Sequence, residues 1–432
     1  MRVEYSGRVT LKRLAVALAL LVLCSGCSFT PLINNRLPGN RAFIDYWPAD
    51  ANSNRLRLAV KDNIDMQGVI TTAGSQFFQQ THKPAPADAP CLAIARQRNV
   101  QIVGKTNLTE FAVSPSGVNE YFGTPENPLR HNLIPGGSSS GNAVALASGM
   151  ADVAFGTDTA GSIRVPAACC GIVGLKTTHG LISLEGVYPI EPKHLDTVGP
   201  MGKDIASTVQ GMDLLQTGFA GKYAAAKAAK PSGRGIRVGR LKLKGTDPDI
   251  DVAIDDALTK AGFQVVPLDD SFRDKWEHAT KDGNTIASAG VWISDQRLQF
   301  SLGVTTRTKA VIRLGQINYT TTYRAAVARQ TAWQQTLNNI FGNVDVIAVP
   351  TLQKMPPSLP LLNLRIGILE ALVLDMQNTV AVNFAGNPAL AMPIPVRNER
   401  VPVTSLQLVA PRLAEAELLN VGRLVEEAVK NR

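Results

Sequence analysis

The chain has 432 residues, 45% hydrophobic and 18% charged, which excludes a disordered or fibrous protein and allows a large buried core. Length alone points to two or three domains, but no internal repeat or low-complexity linker divides the chain, so one large domain stays open. Of the formal net charge of +9, a net +3 comes from Arg2, Arg8, Lys12 and Arg13 against Glu4 in residues 1–26, leaving +6 on the remainder. The remaining basic residues are scattered without an aromatic-interleaved stripe, so they read as a solvated surface and nucleic acid is not an expected partner.

Taken in chain order, Arg8, Lys12 and Arg13 precede the apolar run from Leu14 to Leu23, and small residues Ser25 and Gly26 follow. Charged, apolar, small is the order of a secretory signal peptide, which fits residues 1–26, and the run is short for a membrane span. The stretch Leu23-Cys24-Ser25-Gly26-Cys27 also resembles a bacterial lipobox. That resemblance implies diacylglycerol on the Cys27 thiol, a tether over residues 27–40, and an exported protein that is periplasmic or anchored to the outer membrane. Cys24 departs from the aliphatic residue usual in that motif, and cleavage after Gly26 without lipid is the alternative. Beyond the signal stand Cys91, Cys169 and Cys170, an odd number with no metal-ligand spacing, so no disulfide framework is expected and the vicinal pair reads as small buried residues.

Leu56 to Val60 reads as a strand that delivers Lys61 and Asp62 to its end. A helix from about Cys91 to Arg98 leads to a strand over Val100 to Val103, a small-residue helix covers Ala143 to Met150, and a strand covers Val153 to Phe155. Ala224 to Gly235 reads as a surface connection, Ile236 to Leu243 as a strand, and Asp251 to Ala261 as an amphipathic helix closed by Gly262. Long helices are expected within 285–340, then strands at Val344 to Val349, Ala389 to Pro395 and Ser405 to Val409. Short strands alternating with helices predict an α/β architecture.

Two serine-containing loops carry the chemistry. The first, Pro135-Gly136-Gly137-Ser138-Ser139-Ser140-Gly141-Asn142, lacks the Gly-Lys-Ser/Thr ending of a phosphate loop. It matches G-x-S-x-G with Ser139 central, but the preceding residues are polar and end in proline, where a nucleophile elbow needs a strand. In the second, Gly156 to Pro166, Ser162 follows small residues whose backbone N–H groups can converge on one point, as an oxyanion hole requires. A single Ser/Gly loop is usually an ordinary turn; two of them plus a strand-end lysine are harder to dismiss.

Gly136 to Lys176 resembles the signature of the amidase signature family, with supporting matches at Ala59-Val60-Lys61-Asp62-Asn63, Gly104-Lys105-Thr106-Asn107 and Leu195 to Met201. Weaker matches at Asp345 to Pro350, Asn383 to Pro393 and Leu406 to Pro411 extend the resemblance over most of 40–215 and 345–425. It implies one large domain, 41–432, with a mixed central sheet covered by helices. It also implies hydrolysis of a small-molecule amide with Ser162 as nucleophile, Ser138 as bridge and Lys61 as base, without metal or organic cofactor. The N–H groups of Thr159, Ala160, Gly161 and Ser162 would hold the oxyanion, and Gly136, Gly137, Asp158 and Arg164 would support the loops.

Residue chemistry points the same way. A serine needs a base to take its proton, and none of His82, His131, His179, His194 and His278 lies in a motif that pairs it with Ser162. A lysine can serve if burial lowers its pKa enough to leave it neutral. Two rivals remain at this stage, an α/β-hydrolase-type esterase using Ser139 and an exported, non-catalytic binding protein on the same fold. Local similarity to allophanate-type hydrolases does not name a substrate, and oligomeric state is not legible.

Overall fold

The computed structural model describes residues 39–49, 53–360 and 366–430; residues 1–26, expected as a signal peptide, Cys27 and most of the expected tether lie outside them. Eleven strands form one continuous sheet: β1 (Phe43–Tyr46), β2 (Arg57–Lys61), β3 (Gln101–Thr106), β4 (Val153–Asp158), β5 (Val173–Lys176), β6 (Thr197–Gly202), β7 (Arg237–Arg240), β8 (Gln264–Pro267), β9 (Val346–Pro350), β10 (Ala389–Pro395) and β11 (Val403–Val409). Their spatial order is β1-β3-β2-β4-β6-β5-β10-β11-β9-β7-β8. The sheet is mixed: β3, β2 and β4 run parallel, as do β9, β7 and β8, while antiparallel pairs join these blocks through β6, β5, β10 and β11.

Both faces of the sheet are covered, which the two-residue repeat of the strands makes visible. In β2, Leu58 and Val60 join one core with Met212, Leu390 and Leu419, whereas Ala59 between them packs into another with Ala143, Ala154 and Ile163. Lys61 follows in the parity of Ala59, so the pleat directs it towards the helix Ser140–Ala147. Beyond β9, Trp276 and Trp333 meet edge-on at 5.7 Å in a third core, on the long helices Asp270–Asp295 and Tyr323–Phe341.

Most elements fall where the sequence places them, with revisions at several ends. β3 runs through Gly104-Lys105-Thr106, and β4 extends to Asp158, which carries both strands up to the signature motifs. The segment read as a surface connection, Ala224 to Gly235, instead begins inside a helix, Phe219–Ala229, whose Phe219 and Ala226 are buried. Its Lys-Ala composition is that of a good helix former, and packing against Glu415–Lys430 outweighs the Pro-Gly cue that follows. The region 285–340 is helical as expected, in the helices ending at Asp295, at Thr321 and at Phe341.

Candidate active site

Lys61 ends β2 with its side chain fully buried. Its Nζ lies 2.8 Å from Ser138 Oγ and 2.8 Å from Thr157 Oγ1, with Thr157 O at 3.4 Å. Burial drives the lysine down to about 7, against the opposing pull of the Asp158 and Asp196 charges. Charged, the amine donates to Ser138 Oγ and the Thr157 oxygens; neutral, it has two hydrogens and one lone pair, which can accept from a neighbouring hydroxyl. Asn63 Nδ2 donates to the same Thr157 hydroxyl at 3.0 Å and fixes it.

The loop before Ser138 approaches its surroundings too closely for side chains. A Cβ on Gly136 would meet Cys169 Sγ at 2.8 Å, and one on Gly137 would meet Ser114 O at 2.7 Å. Gly136 also has φ +72, and the Gly137–Ser138 peptide is cis. Gly137 N–H donates to Pro115 O at 2.7 Å, and Ser138 O accepts from Thr109 N–H at 3.3 Å, so Ser138 is held on both sides.

Ser162 is half-buried, between β4 and the helix Arg164–Cys170. Its carbonyl accepts from Ser139 N–H at 3.1 Å, which docks the two serine loops against each other. Among the described residues the structure joins Lys61 and Ser138 side chain to side chain, whereas Ser162 Oγ has no hydrogen bond to Ser138; a backbone bond alone links their loops. Ser139 is fully buried at the start of the helix Ser140–Ala147, with no strand before it, which disfavours the elbow reading.

The expected oxyanion donors divide. Gly161 N–H is already taken by Asp158 Oδ1 at 2.9 Å, and Ile163 N–H by Asp158 Oδ2 at 3.1 Å. Among the described residues, the N–H groups of Thr159, Ala160 and Ser162 have no hydrogen-bond partner. Ala160 sits outside the left-handed region, so alanine is compatible there, whereas Gly161 has φ +129 and faces the Thr379 hydroxyl. Thr379 Oγ1 in turn donates to Ala160 O, and Thr159 Oγ1 donates to Asp196 Oδ1 at 2.6 Å.

Asp158 and Arg164 brace this turn as expected, at 2.9 Å with both side chains fully buried. Arg164 also donates to Gln407 Oε1 at 2.6 Å and Thr379 O at 2.9 Å, and Asn383 Nδ2 donates to Asp158 at 2.8 Å. Burial would raise the Asp158 carboxyl, but Arg164 and Asn383 together hold it well below the usual range. Thr157, Asn63, Asp196, Thr379 and Gln407 thus join the site although sequence reasoning gives them no role; the first three lie inside motifs that the family resemblance matches only as blocks.

No histidine reaches Ser162. His194 contacts Gln330, His179 the carbonyl of Pro192, His131 contacts Glu126, His278 the carbonyl of Asp274, and His82 stacks on Phe78. Burial pushes the thiol of Cys91 to about 12 and those of Cys169 and Cys170 higher still, which leaves all three unreactive.

A buried strand-end lysine under two interlocked serine turns, on a mixed sheet of this order, is the framework of an enzyme acting on carbon–nitrogen bonds. The chain belongs to the Amidase family, whose model matches residues 56–419. It is 30% identical over 416 residues to a glutamyl-tRNA(Gln) amidotransferase subunit of Halobacterium salinarum, covering 88% of this chain and 96% of that one. It is 33% identical over 391 residues to 2-amino-5-chloromuconic acid deaminase of Comamonas testosteroni, covering 87% and 81%. Among solved structures, the corresponding glutamyl-tRNA(Gln) amidotransferase subunit of Thermotoga maritima shares the fold with a TM-score of 0.73 at 23% identity, covering 89% and 87%.

Proposed function

We propose that this chain hydrolyses the C–N bond of a small carboxylic acid amide through an acyl-enzyme on Ser162. The observation that carries the reading is the buried Lys61 amine, held near neutrality 2.8 Å from Ser138 Oγ. Ser162 Oγ attacks the carbonyl carbon while its proton passes to Ser138, whose own proton passes to Lys61. The oxyanion is held by N–H groups of the Thr159–Ser162 turn. As the C–N bond breaks, Ser138 protonates the nitrogen and recovers its proton from Lys61. Water then cleaves the ester by the same relay in reverse roles.

Changing Lys61 to Ala is expected to lower kcat/KM for amides about 100- to 10,000-fold while the fold persists. Unchanged amide turnover by that variant contradicts the relay.

Several relatives are amidotransferase subunits, so the acyl-enzyme chemistry also fits transfer. Hydrolysis is favoured by the signal-like order of residues 1–26, from which we infer export and, through Cys27, a lipid anchor. The mass of the mature N-terminal peptide tests this. A diacylglyceryl-modified Cys27 supports anchorage, cleavage after Gly26 supports export alone, and a retained Met1 contradicts both.

A further inference from the structure

We infer that Thr157 is the positioning residue of the relay's base: its two oxygens meet the positive charge that Lys61 acquires on taking the proton from Ser138, and Asn63 holds the threonine hydroxyl for that task. The inference rests on the amidase reading and adds two residues to its proton relay.

A count of donors and acceptors carries it. A protonated amine has three hydrogens and no lone pair. Among the described residues, the oxygens in hydrogen-bond reach of Lys61 Nζ are Ser138 Oγ at 2.8 Å, Thr157 Oγ1 at 2.8 Å and Thr157 O at 3.4 Å. The ammonium is therefore matched hydrogen for hydrogen, and one residue supplies two of the three places. The sheet sets both of them, because Thr157 lies in β4 between β2 and β6 and pairs with Val198.

The charged groups around the amine are engaged elsewhere. Asp158 on β4 is bonded to Arg164, and Asp62 to Lys105 on β3. Asp196 accepts from the Thr159 hydroxyl and from the N–H groups of Ile190 and Glu191. Glu110, next to the Thr109 that holds Ser138 O, turns to Ser75, Thr305 and Thr308, and the helix Ser140–Ala147 carries no charge. Neutral oxygens thus meet the new charge, so no direct ion pair locks the base in its protonated form. With burial already holding this amine at about 7, loss of an acceptor would weaken the base further.

Asn63 supplies the second observation. An amide nitrogen only donates, so the Thr157 hydroxyl oxygen accepts from Asn63 Nδ2 at 3.0 Å whatever the charge on Lys61. Asn63 Oδ1, on the same buried side chain, has no partner among the described residues. An unpaired buried oxygen costs stability that a leucine of similar volume would not. The local backbone is held without that side chain, since Asn63 O accepts from Tyr188 N–H at 2.8 Å. What the side chain adds is one fixed donor to the hydroxyl that touches the base.

The test compares wild type with Thr157→Val, Thr157→Ser and the double variant Thr157→Val/Asn63→Leu. Thr157→Val strands the Asn63 nitrogen; the double variant removes both polar partners and should melt near wild type. Losing an acceptor disfavours the ammonium more than the neutral amine, so Lys61 should titrate lower. Read by NMR of isotope-labelled lysine, with the Lys61 signal assigned by its loss in Lys61→Met, the midpoint should fall by about one pH unit in Thr157→Val and the double variant, and return in Thr157→Ser. On a simple amide, the acid limb of kcat/KM should move the same way and kcat should drop about tenfold, with KM within about twofold and recovery in Thr157→Ser. A midpoint and limb that stay at the wild-type pH in both valine variants, whatever the loss of rate, overturn the inference. A midpoint that falls in a protein that turns over no amide, with Ser162 unlabelled by a fluorophosphonate, overturns the amidase reading and leaves the hold of Thr157 on Lys61 intact.

Discussion

Lys61 Nζ and Ser138 Oγ lie 2.8 Å apart at the closed end of β2, and no carboxylate forms a salt bridge with that amine among the described residues. A lysine accepts a proton only in its neutral form, and this one titrates near 7 because burial disfavours its charge. The acid limb of kcat/KM should therefore rise about tenfold per pH unit below 7 and level off above it. Asp196, whose charge helps to keep Lys61 protonated, gives the control: Asp196→Asn should move the limb to lower pH. A pH–rate profile that stays flat down to pH 5 contradicts a lysine base.

The same burial has a stability consequence. Unfolded, Lys61 titrates near its ordinary value of about 10.4, and folded near 7, so between those values the unfolded chain binds more protons and wild-type stability climbs with pH. Lys61→Met lacks that slope. At pH 7 it should be the more stable protein by about 2 kcal/mol, from roughly 4 for the avoided deprotonation less about 2 for hydrogen bonds left open at Ser138 and Thr157. The gap should narrow as pH rises towards 10. Denaturant unfolding at pH 7 and 9.5 checks both parts; a gap that widens with pH contradicts the assignment.

Asp158 and Arg164 are a different kind of charge, paired and fully enclosed. Removing one partner strands the other, so Arg164→Ala should cost about 3–5 kcal/mol and abolish turnover with it. Asp158→Asn likewise strands the buried Arg164 charge and loses acceptors for the Gly161 and Ile163 N–H groups, so it should lower both stability and kcat. Thermal unfolding alongside kinetics separates the two effects, and an Arg164→Ala protein with wild-type melting contradicts the bracing role.

Neighbouring small residues in the oxyanion turn should respond unequally. Gly161 occupies φ +129 with the Thr379 hydroxyl against it, so Gly161→Ala should lower stability by about 1–3 kcal/mol and depress kcat at least tenfold. Ala160→Gly meets no such constraint and should stay within about 1 kcal/mol of wild type. Equal tolerance at both positions would show that the turn geometry does not matter to catalysis.

Much of this is legible in the residues themselves. Lys61 can be placed at a strand end because Leu58-Ala59-Val60 leaves little else for those residues to do, and the glycines before Ser138 and Ser162 announce backbone that approaches its neighbours closely. The Asp158–Arg164 brace follows from opposite charges either side of a tight turn. What stays hidden depends on long-range packing. Thr157 supports Lys61 only because β2 and β4 lie side by side, and Thr379, Asn383 and Gln407 reach the signature turn from more than 200 residues away. Phe78 and Tyr188 meet edge-on from distant parts of the chain, and no local pattern pairs them. Gly161, expected as an oxyanion donor, is claimed by an aspartate three residues earlier whose orientation the sequence does not specify.

The central claim is an acyl group on Ser162, and acid-quenched mass spectrometry during turnover of an amide reads it directly. Peptides of wild-type protein and of Lys61→Ala, Ser138→Ala, Ser139→Ala and Ser162→Ala should be compared. The account predicts the acyl mass on the peptide containing Ser162 in wild type and in Ser139→Ala, a strongly reduced signal in Lys61→Ala and Ser138→Ala, and none in Ser162→Ala. An adduct on the peptide containing Ser139, or one that persists in Ser162→Ala, would contradict it.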